Sequence, residues 1–412
     1  MTMHEYRHGV WLGSRRVGTL NQRGDYTWFT FTEEYLDDPG RPVLGLVFEQ
    51  DVRARHANAL RVPAWFSNLL PEGRLRDWIA ADRHVSADRE MELLAQVGHD
   101  LPGAVRVLPE ETAPEGWDPA ALTVNPHGTI DSGHAGWRFS LAGVGLKFSM
   151  IGKDDRLTLP AHGEGGDWIV KLPDRVFADV PLNEYAMMSM AAAVGIDVPE
   201  VRLVRRDQLD NLPPGVWPEN ESLAYAIRRF DRDDSRGSVH IEDLAQVRNV
   251  YPDRKYEGNF ETVAALIYRR HDLSALREFA RRLAFNILIS NGDAHFKNWS
   301  LIYPDRRIPT LAPAYDMVCT AAYRTDDEPE DLGLKFGGTR QFTRIAAGTF
   351  QRLERRLGAV GAGLIDVVGE TIDRVEAEWP RFASILDSNE PLQAAVAASI
   401  EEHGRSLSRR VS

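Results

Sequence analysis

The segment Ile289-Ser290-Asn291-Gly292-Asp293-Ala294-His295-Phe296-Lys297-Asn298-Trp299-Ser300 begins with Ser-Asn-Gly, a combination that turns the chain. It follows directly on the most regular helical pattern in the sequence. Leu276, Phe279, Leu283 and Ile287 fall on one face of a helix for which Ser274 is the expected N-cap. Asp293 therefore opens a loop anchored on a rigid element, and Asn298 follows five residues later. An aspartate able to accept a hydroxyl proton and an asparagine able to hold Mg²⁺ stand at this spacing in kinase catalytic loops. Asp and Asn are also ordinary turn residues, so the pair alone decides nothing. His295 fits a structural histidine, and one Asp-x-His pair is too little for a zinc site.

Working outward, Ala314-Tyr315-Asp316-Met317 places an isolated aspartate in an apolar stretch. Burying that carboxylate is costly unless it meets a cation, such as a magnesium bridging phosphate oxygens. Capping a helix or pairing with an arginine would serve equally. Upstream, Trp168-Ile169-Val170-Lys171-Leu172 reads as a short strand ending in a lysine, able to hold ATP phosphates or simply to mark an exposed edge. Glu184 opens the helix expected over 183–194, with Pro181 before it and Gly195 as its left-handed cap. Glu184 could pair with Lys171, or merely favour the helix dipole. The loop Arg138 to Lys147 carries Ser140, Gly143 and Gly145 and can present backbone N–H groups to phosphates. It is neither a Walker A loop nor G-x-G-x-x-G, and a plain turn between strands explains it too. The order of these parts along the chain is that of phosphoryl transfer.

The whole chain has 412 residues, enough for two to four domains, with 43% hydrophobic and 27% charged residues. Its formal charge of −12 disfavours autonomous binding to duplex DNA, which is driven by Lys and Arg displacing counterions. The single cysteine, Cys319, can form neither an internal disulfide nor a cysteine-based zinc site, in keeping with a reducing cytosol. No apolar run approaches a membrane span, and the first seven residues do not resemble a signal peptide, so a cytoplasmic protein is expected. Residues 6–50 read as β structure and 64–97 as helical. Prolines among polar residues mark 109–136 as a linker or surface loop. From residue 240 onward nearly everything reads as helix. The expected division is a β-rich part over 1–108, the linker, an α/β part over 137–239 and a helical lobe over 240–412.

These motifs together resemble the HipA family of bacterial serine/threonine kinase toxins of HipA–HipB toxin–antitoxin systems. The resemblance rests on Val17-Gly18-Thr19-Leu20, Asn68-Leu69-Leu70-Pro71-Glu72, Ser140-Leu141-Ala142-Gly143 with Lys147, and Ile169-Val170-Lys171-Leu172-Pro173. It continues through Asn183-Glu184-Tyr185, Arg229-Phe230-Asp231-Arg232, His240-Ile241-Glu242-Asp243-Leu244, Lys255-Tyr256-Glu257, the 291–298 loop and Pro313-Ala314-Tyr315-Asp316. It implies an α+β, two-lobed, protein-kinase-like fold with a β-rich N-terminal part and an all-helical C-terminal lobe. It implies Asp293 as catalytic aspartate, Asn298 and Asp316 as Mg²⁺ ligands, and Lys171 as a contact to ATP phosphates. Ser140 would be both part of the ATP site and the autophosphorylated residue. The ATP site would further include Gly143, Gly145, Lys147, Arg228, Phe230, His295 and Lys297, with Ile227 to Phe230 as the hinge beside adenine. Implied partners are a HipB-like helix-turn-helix antitoxin, DNA only through that antitoxin, and a protein substrate such as an aminoacyl-tRNA synthetase. No membrane partner is implied. Two departures stand out: Arg228 where some members carry glutamate, and Val144-Gly145-Leu146 in place of a small-Gln-acidic triplet. A small-molecule kinase of the aminoglycoside-phosphotransferase type, or an inactive pseudokinase binding an antitoxin or repressor, would carry many of the same motifs.

Overall fold

The computed structural model describes residues 5–110, 146–153, 155–159, 165–325 and 327–408. Ser140, Gly143 and Gly145, and all but the first two residues of the expected 109–136 linker, lie outside the described residues.

The chain opens with antiparallel strands β1 (Glu5–Leu12), β2 (Arg15–Arg23) and β3 (Tyr26–Phe31), joined by two-residue turns. The first turn uses Gly13 at a φ of 62°, a backbone setting that glycine adopts without strain. β4 (His56–Ala59) and β5 (Val105–Pro109) complete a sheet of order β4-β3-β2-β1-β5. Strand structure does not continue to residue 50. Thr32 instead caps α1 (Glu33–Leu36), its side chain accepting from the Tyr35 N–H. The helical stretch is broken into α2 (Ala64–Ser67), α3 (Gly73–Asp82) and α4 (Glu90–Val97). Pro71 and the positive φ of Gly73 enforce the first break.

A second sheet of order β10-β7-β6-β8-β11-β9 follows. It comprises β6 (Lys147–Lys153), β7 (Arg156–Thr158), β8 (Trp168–Lys171), β9 (Val201–Arg205), β10 (Leu209–Asp210) and β11 (Leu223–Arg228). α5 (Val180–Ala193) packs on β11 and β9, ending as the sequence predicts with Gly195 in the left-handed region. The alternation of β11 explains the sheet's position. Ala224 and Ala226 belong to the apolar core of the N-terminal module, while Tyr225 and Ile227 belong to the core of the helical half. One sheet is thus buried on both faces and serves two cores.

The C-terminal half is helical around α8 (Leu273–Leu288), with α6 (Leu244–Val247) and α7 (Phe260–Tyr268) before it. After it come α9 (Ala347–Leu357), α10 (Leu364–Ala383) and α11 (Glu390–Leu407). α7, α10 and α11 pack directly on α8, whose apolar side chains are nearly all buried. The N-cap of α8 is Asp272, whose carboxylate accepts from the Ala275 N–H, and not Ser274, which lies in the first turn. The half is not purely helical: β12 (Ile241–Asp243), β13 (Ser300–Ile302) and β14 (Thr310–Leu311) form a small antiparallel sheet. Among the described residues no helix is long and apolar enough to cross a membrane.

Candidate active site

Lys171 ends β8, where Trp168 and Val170 face the N-terminal core and Ile169 and Lys171 therefore face the helical half. Its ammonium meets two carboxylates. Glu184, on α5 and nearly inaccessible, accepts at 2.5 Å, and Asp316 accepts from the other side. Burial alone would lower the Lys171 pKa, but the two anions push it above its ordinary value. Burial pushes Glu184 up to about 7 against the pull of Lys171. Burial would also raise Asp316, yet Lys171 and Lys147 hold it down at about 2. Asp316 therefore meets a lysine, neither an arginine nor a helix end. Its φ is 56°, a setting aspartate tolerates, and the Asn291 side chain holds its carbonyl at 3.2 Å.

Lys147 is the cross-strand neighbour of Lys171 on the same sheet face. Like charges so placed repel. Burial lowers Lys147 to about 8, with Asp316 opposing and Lys171 adding to the shift.

The loop after α8 is pinned from several sides. Ser290, with φ 52°, bonds Ser399 (2.9 Å) and His403 (2.8 Å) of α11. Gly292 N–H donates to Thr320 (2.7 Å), and Asn291 accepts from the Asp293 N–H (3.1 Å). The Asp293 side chain is half exposed and accepts a hydrogen bond from the Tyr256 hydroxyl. His295 lies 3.8 Å from it, buried, and burial pushes the imidazole down to about 4, so it stays neutral at physiological pH. Asn298 donates its Nδ2 to the Asp293 carbonyl at 2.8 Å, which leaves its side-chain oxygen available. The Lys297 ammonium is already engaged, by the Asn68 carbonyl (2.9 Å) and Glu72 (2.8 Å).

Lys147, Lys171, Glu184, Asp293, His295, Lys297, Asn298 and Asp316 line one cleft of about 1120 Å³, as do Ile227, Arg228 and Phe230. The Phe230 ring stacks on Tyr315, with centroids 5.7 Å apart. Arg228 pairs outward with the exposed Asp234. Its neighbours Arg229 and Asp231 turn inward into a buried network with Arg232 and Asp100. Of the sequence-derived site residues that the structure describes, every one lies on this cleft. Two further residues reach it without having been assigned a role: Glu72 and Tyr256 sit in quoted motifs, but their partners are remote in sequence.

Magnesium is held by one or two carboxylates, with substrate oxygens and water completing its shell. Asp316 and the free oxygen of Asn298 form a donor set of that kind. Among the described residues no cluster of three or more His, Cys, Asp or Glu side chains could hold a metal unaided.

A sheet-bearing lobe with a lysine–glutamate pair, facing a helical lobe with an Asp/Asn loop across a cleft, defines a two-lobed fold of protein-kinase type. Comparison with known proteins narrows this class. Residues 8–108 match the HipA N-terminal domain and residues 139–379 the HipA-like C-terminal domain. This chain belongs to the HipA family. The protein named "Putative kinase Y4dM" from Sinorhizobium fredii is 42% identical, over 94% of this chain and 93% of that protein. The serine/threonine-protein kinase toxin HipA of Shewanella oneidensis is 25% identical over 64% of each chain. HipA in the Shewanella oneidensis MR-1 complex with HipB and operator DNA shares the fold. Its TM-score is 0.71 at 19% identity, covering 97% of this chain and 96% of that one.

Proposed function

We propose that this chain is an ATP-dependent serine/threonine protein kinase, the toxin of a toxin–antitoxin pair. The observation that carries the reading is the Lys171 ammonium held between Glu184 and Asp316 in the cleft that also receives Asp293 and Asn298. Asp293 orients the acceptor hydroxyl and takes its proton. Lys171 and Lys147 bind the nucleotide phosphates, while Ile227 to Phe230 frame the base, with Phe230 fixed against Tyr315. Asn298 and Asp316 hold Mg²⁺, which when bound neutralises charge on the phosphates. His295 borders the same space as a neutral ring, and Ser140 is the autophosphorylated residue. Catalysis on this reading is mainly positioning and electrostatics.

A HipB-like helix-turn-helix protein is the partner we assign, with DNA reached through it; the −12 charge of the chain suits a basic antitoxin. The acceptor is a cellular protein, an aminoacyl-tRNA synthetase being the class the family resemblance implies.

The test is transfer of radiolabelled γ-phosphate from ATP. Wild type should label itself and a protein acceptor. Asp293→Asn should lose at least ~10²-fold in kcat and unfold within a degree or two of wild type, because the side chain is half exposed. Undiminished transfer by that variant refutes the assignment. Phosphoproteomics after brief expression of wild type against Asp293→Asn identifies the acceptor.

A further inference from the structure

Glu72 belongs to the N-terminal module, at the start of α3, yet its carboxylate ends in the cleft of the kinase half. One oxygen accepts from Lys255 at 2.8 Å, and the other lies 2.8 Å from the Lys297 ammonium. The three side chains are largely shielded: Glu72 is 14% exposed, Lys255 10% and Lys297 4%. Burial would raise the carboxyl, but the two ammoniums hold it down at about 2, so it is an anion at every physiological pH. Asn68, four residues earlier, adds its carbonyl to Lys297 and donates from its side chain to the Val250 carbonyl at 2.7 Å.

The two lysines are placed for a purpose. Lys297 immediately precedes Asn298, and its own carbonyl accepts from Tyr315 at 2.9 Å, so the residue is fixed at both ends. Lys255 immediately precedes Tyr256, whose hydroxyl meets Asp293. One carboxylate from another module thus holds both flanks of Asp293. It also neutralises two shielded cations, of which Lys297 has otherwise only the Asn68 carbonyl and, 4.0 Å away, Asp243.

We propose that Glu72 is a positioning residue for phosphoryl transfer, through which the N-terminal module completes the active site. This rests on the kinase reading above, because it is the 293–298 loop of that reading that Glu72 holds.

The experiment uses the full chain with Glu72→Gln, which keeps shape and removes charge, and Glu72→Asp, which keeps charge. A misplacement of ~1 Å in the loop can cost about 10²-fold in rate. The Gln variant should lose ~10–100-fold in kcat with the KM for ATP within about twofold of wild type. Glu72→Asp should recover part of the rate. Amide exchange should rise across residues 291–298 in the Gln variant and stay unchanged in α10. Folded Glu72→Gln with wild-type kcat and loop exchange overturns the inference. If Glu72→Gln does not fold, Glu72→Asp decides: wild-type kcat and loop exchange in it overturn the inference, and a partial loss of both supports it. A wild type that transfers no phosphate refutes the kinase reading instead, and loop exchange alone then decides whether Glu72 holds the loop.

Discussion

Replacing Asp231 by asparagine probes how the segment around Phe230 is held. Arg229 is fully buried and Arg232 is only 7% exposed, and their counter-ions are Asp231 and Asp100. Asp231 accepts four hydrogen bonds: Arg229 Nε at 2.9 Å and Nη2 at 2.7 Å, Arg232 Nη1 at 3.0 Å, and the Gly103 N–H at 2.7 Å. An asparagine oxygen in the place of Oδ2 keeps three of these bonds and loses the one from Arg229 Nε, at ~1.5–3 kcal/mol, while its amide N–H groups face that guanidinium. The network also changes from neutral to a net buried positive charge, a break that costs ~3–5 kcal/mol when one partner of a buried pair is removed. Arg229 retains Ser149 at 3.1 Å and Asp100 at 3.3 Å, which favours the lower end, about 3 kcal/mol.

The effect should depend on pH in one direction. Burial would raise the Asp231 carboxyl, but Arg229 and Arg232 hold it well below its ordinary value near 3.8. A depressed native pKa gives stability that is complete above the unfolded value and lost as pH falls through the native one. The gap between wild type and Asp231→Asn should therefore be constant from pH 7 to 5 and narrow below about pH 4. Urea unfolding at several pH values measures it. Because Phe230 stands between Arg229 and Asp231, the KM for ATP should also rise several-fold. A gap under ~1 kcal/mol at pH 7, or one that persists unchanged to pH 3.5, refutes the reasoning.

Two further outcomes follow from the site. Lys147, lowered to about 8, carries its charge below that pH and loses it above; kcat/KM for ATP should decline through pH 8 in wild type. Lys147→Arg, always protonated, should flatten that limb, and a wild-type profile with no such limb counts against Lys147 as a phosphate contact. Tyr256→Phe removes the hydroxyl that occupies Asp293, so the KM for a protein acceptor should fall while the KM for ATP stays put. An increase in acceptor KM would mean that the tyrosine helps bind the acceptor.

What could be read from the chain divides by distance. The Asp293 loop was legible because α8 has a strong 3.6-residue period and Ser-Asn-Gly must turn. The pairing of Lys171 with Glu184 was legible because a strand lysine and a helix glutamate stand close in sequence. The sheet of β12, β13 and β14 was not, since strands of two or three residues carry no period. Nor was the double burial of β11, where Ala224 and Ala226 are too small to announce a strand with two apolar faces. The capping of α8 by Asp272 rather than Ser274 is a choice between two competent caps that only tertiary fit decides. Glu72 and Lys255 are 183 residues apart, and no local pattern couples them.

The N-terminal module and the C-terminal half are joined by apolar packing across the shared second sheet and by buried carboxylates that take donors from across the boundary. Asp231 takes the Gly103 N–H, and Glu72 takes Lys255 and Lys297. Glu242, fully buried on β12, accepts from the Leu46 N–H at 3.0 Å, the Trp65 indole at 3.1 Å and the Tyr303 hydroxyl. A Cβ at Gly45 would lie 2.4 Å from that indole nitrogen, so this approach needs glycine. Each such carboxylate is costly to leave unpaired. Separating the halves would strip Glu72 from both lysines, take the Gly103 N–H from Asp231 and the Leu46 N–H and Trp65 indole from Glu242, and expose one apolar face of the shared second sheet. The family domains that divide the sequence therefore do not divide the energetics: short, polar, buried contacts tie the N-terminal module to the segment around Phe230 and to the 293–298 loop.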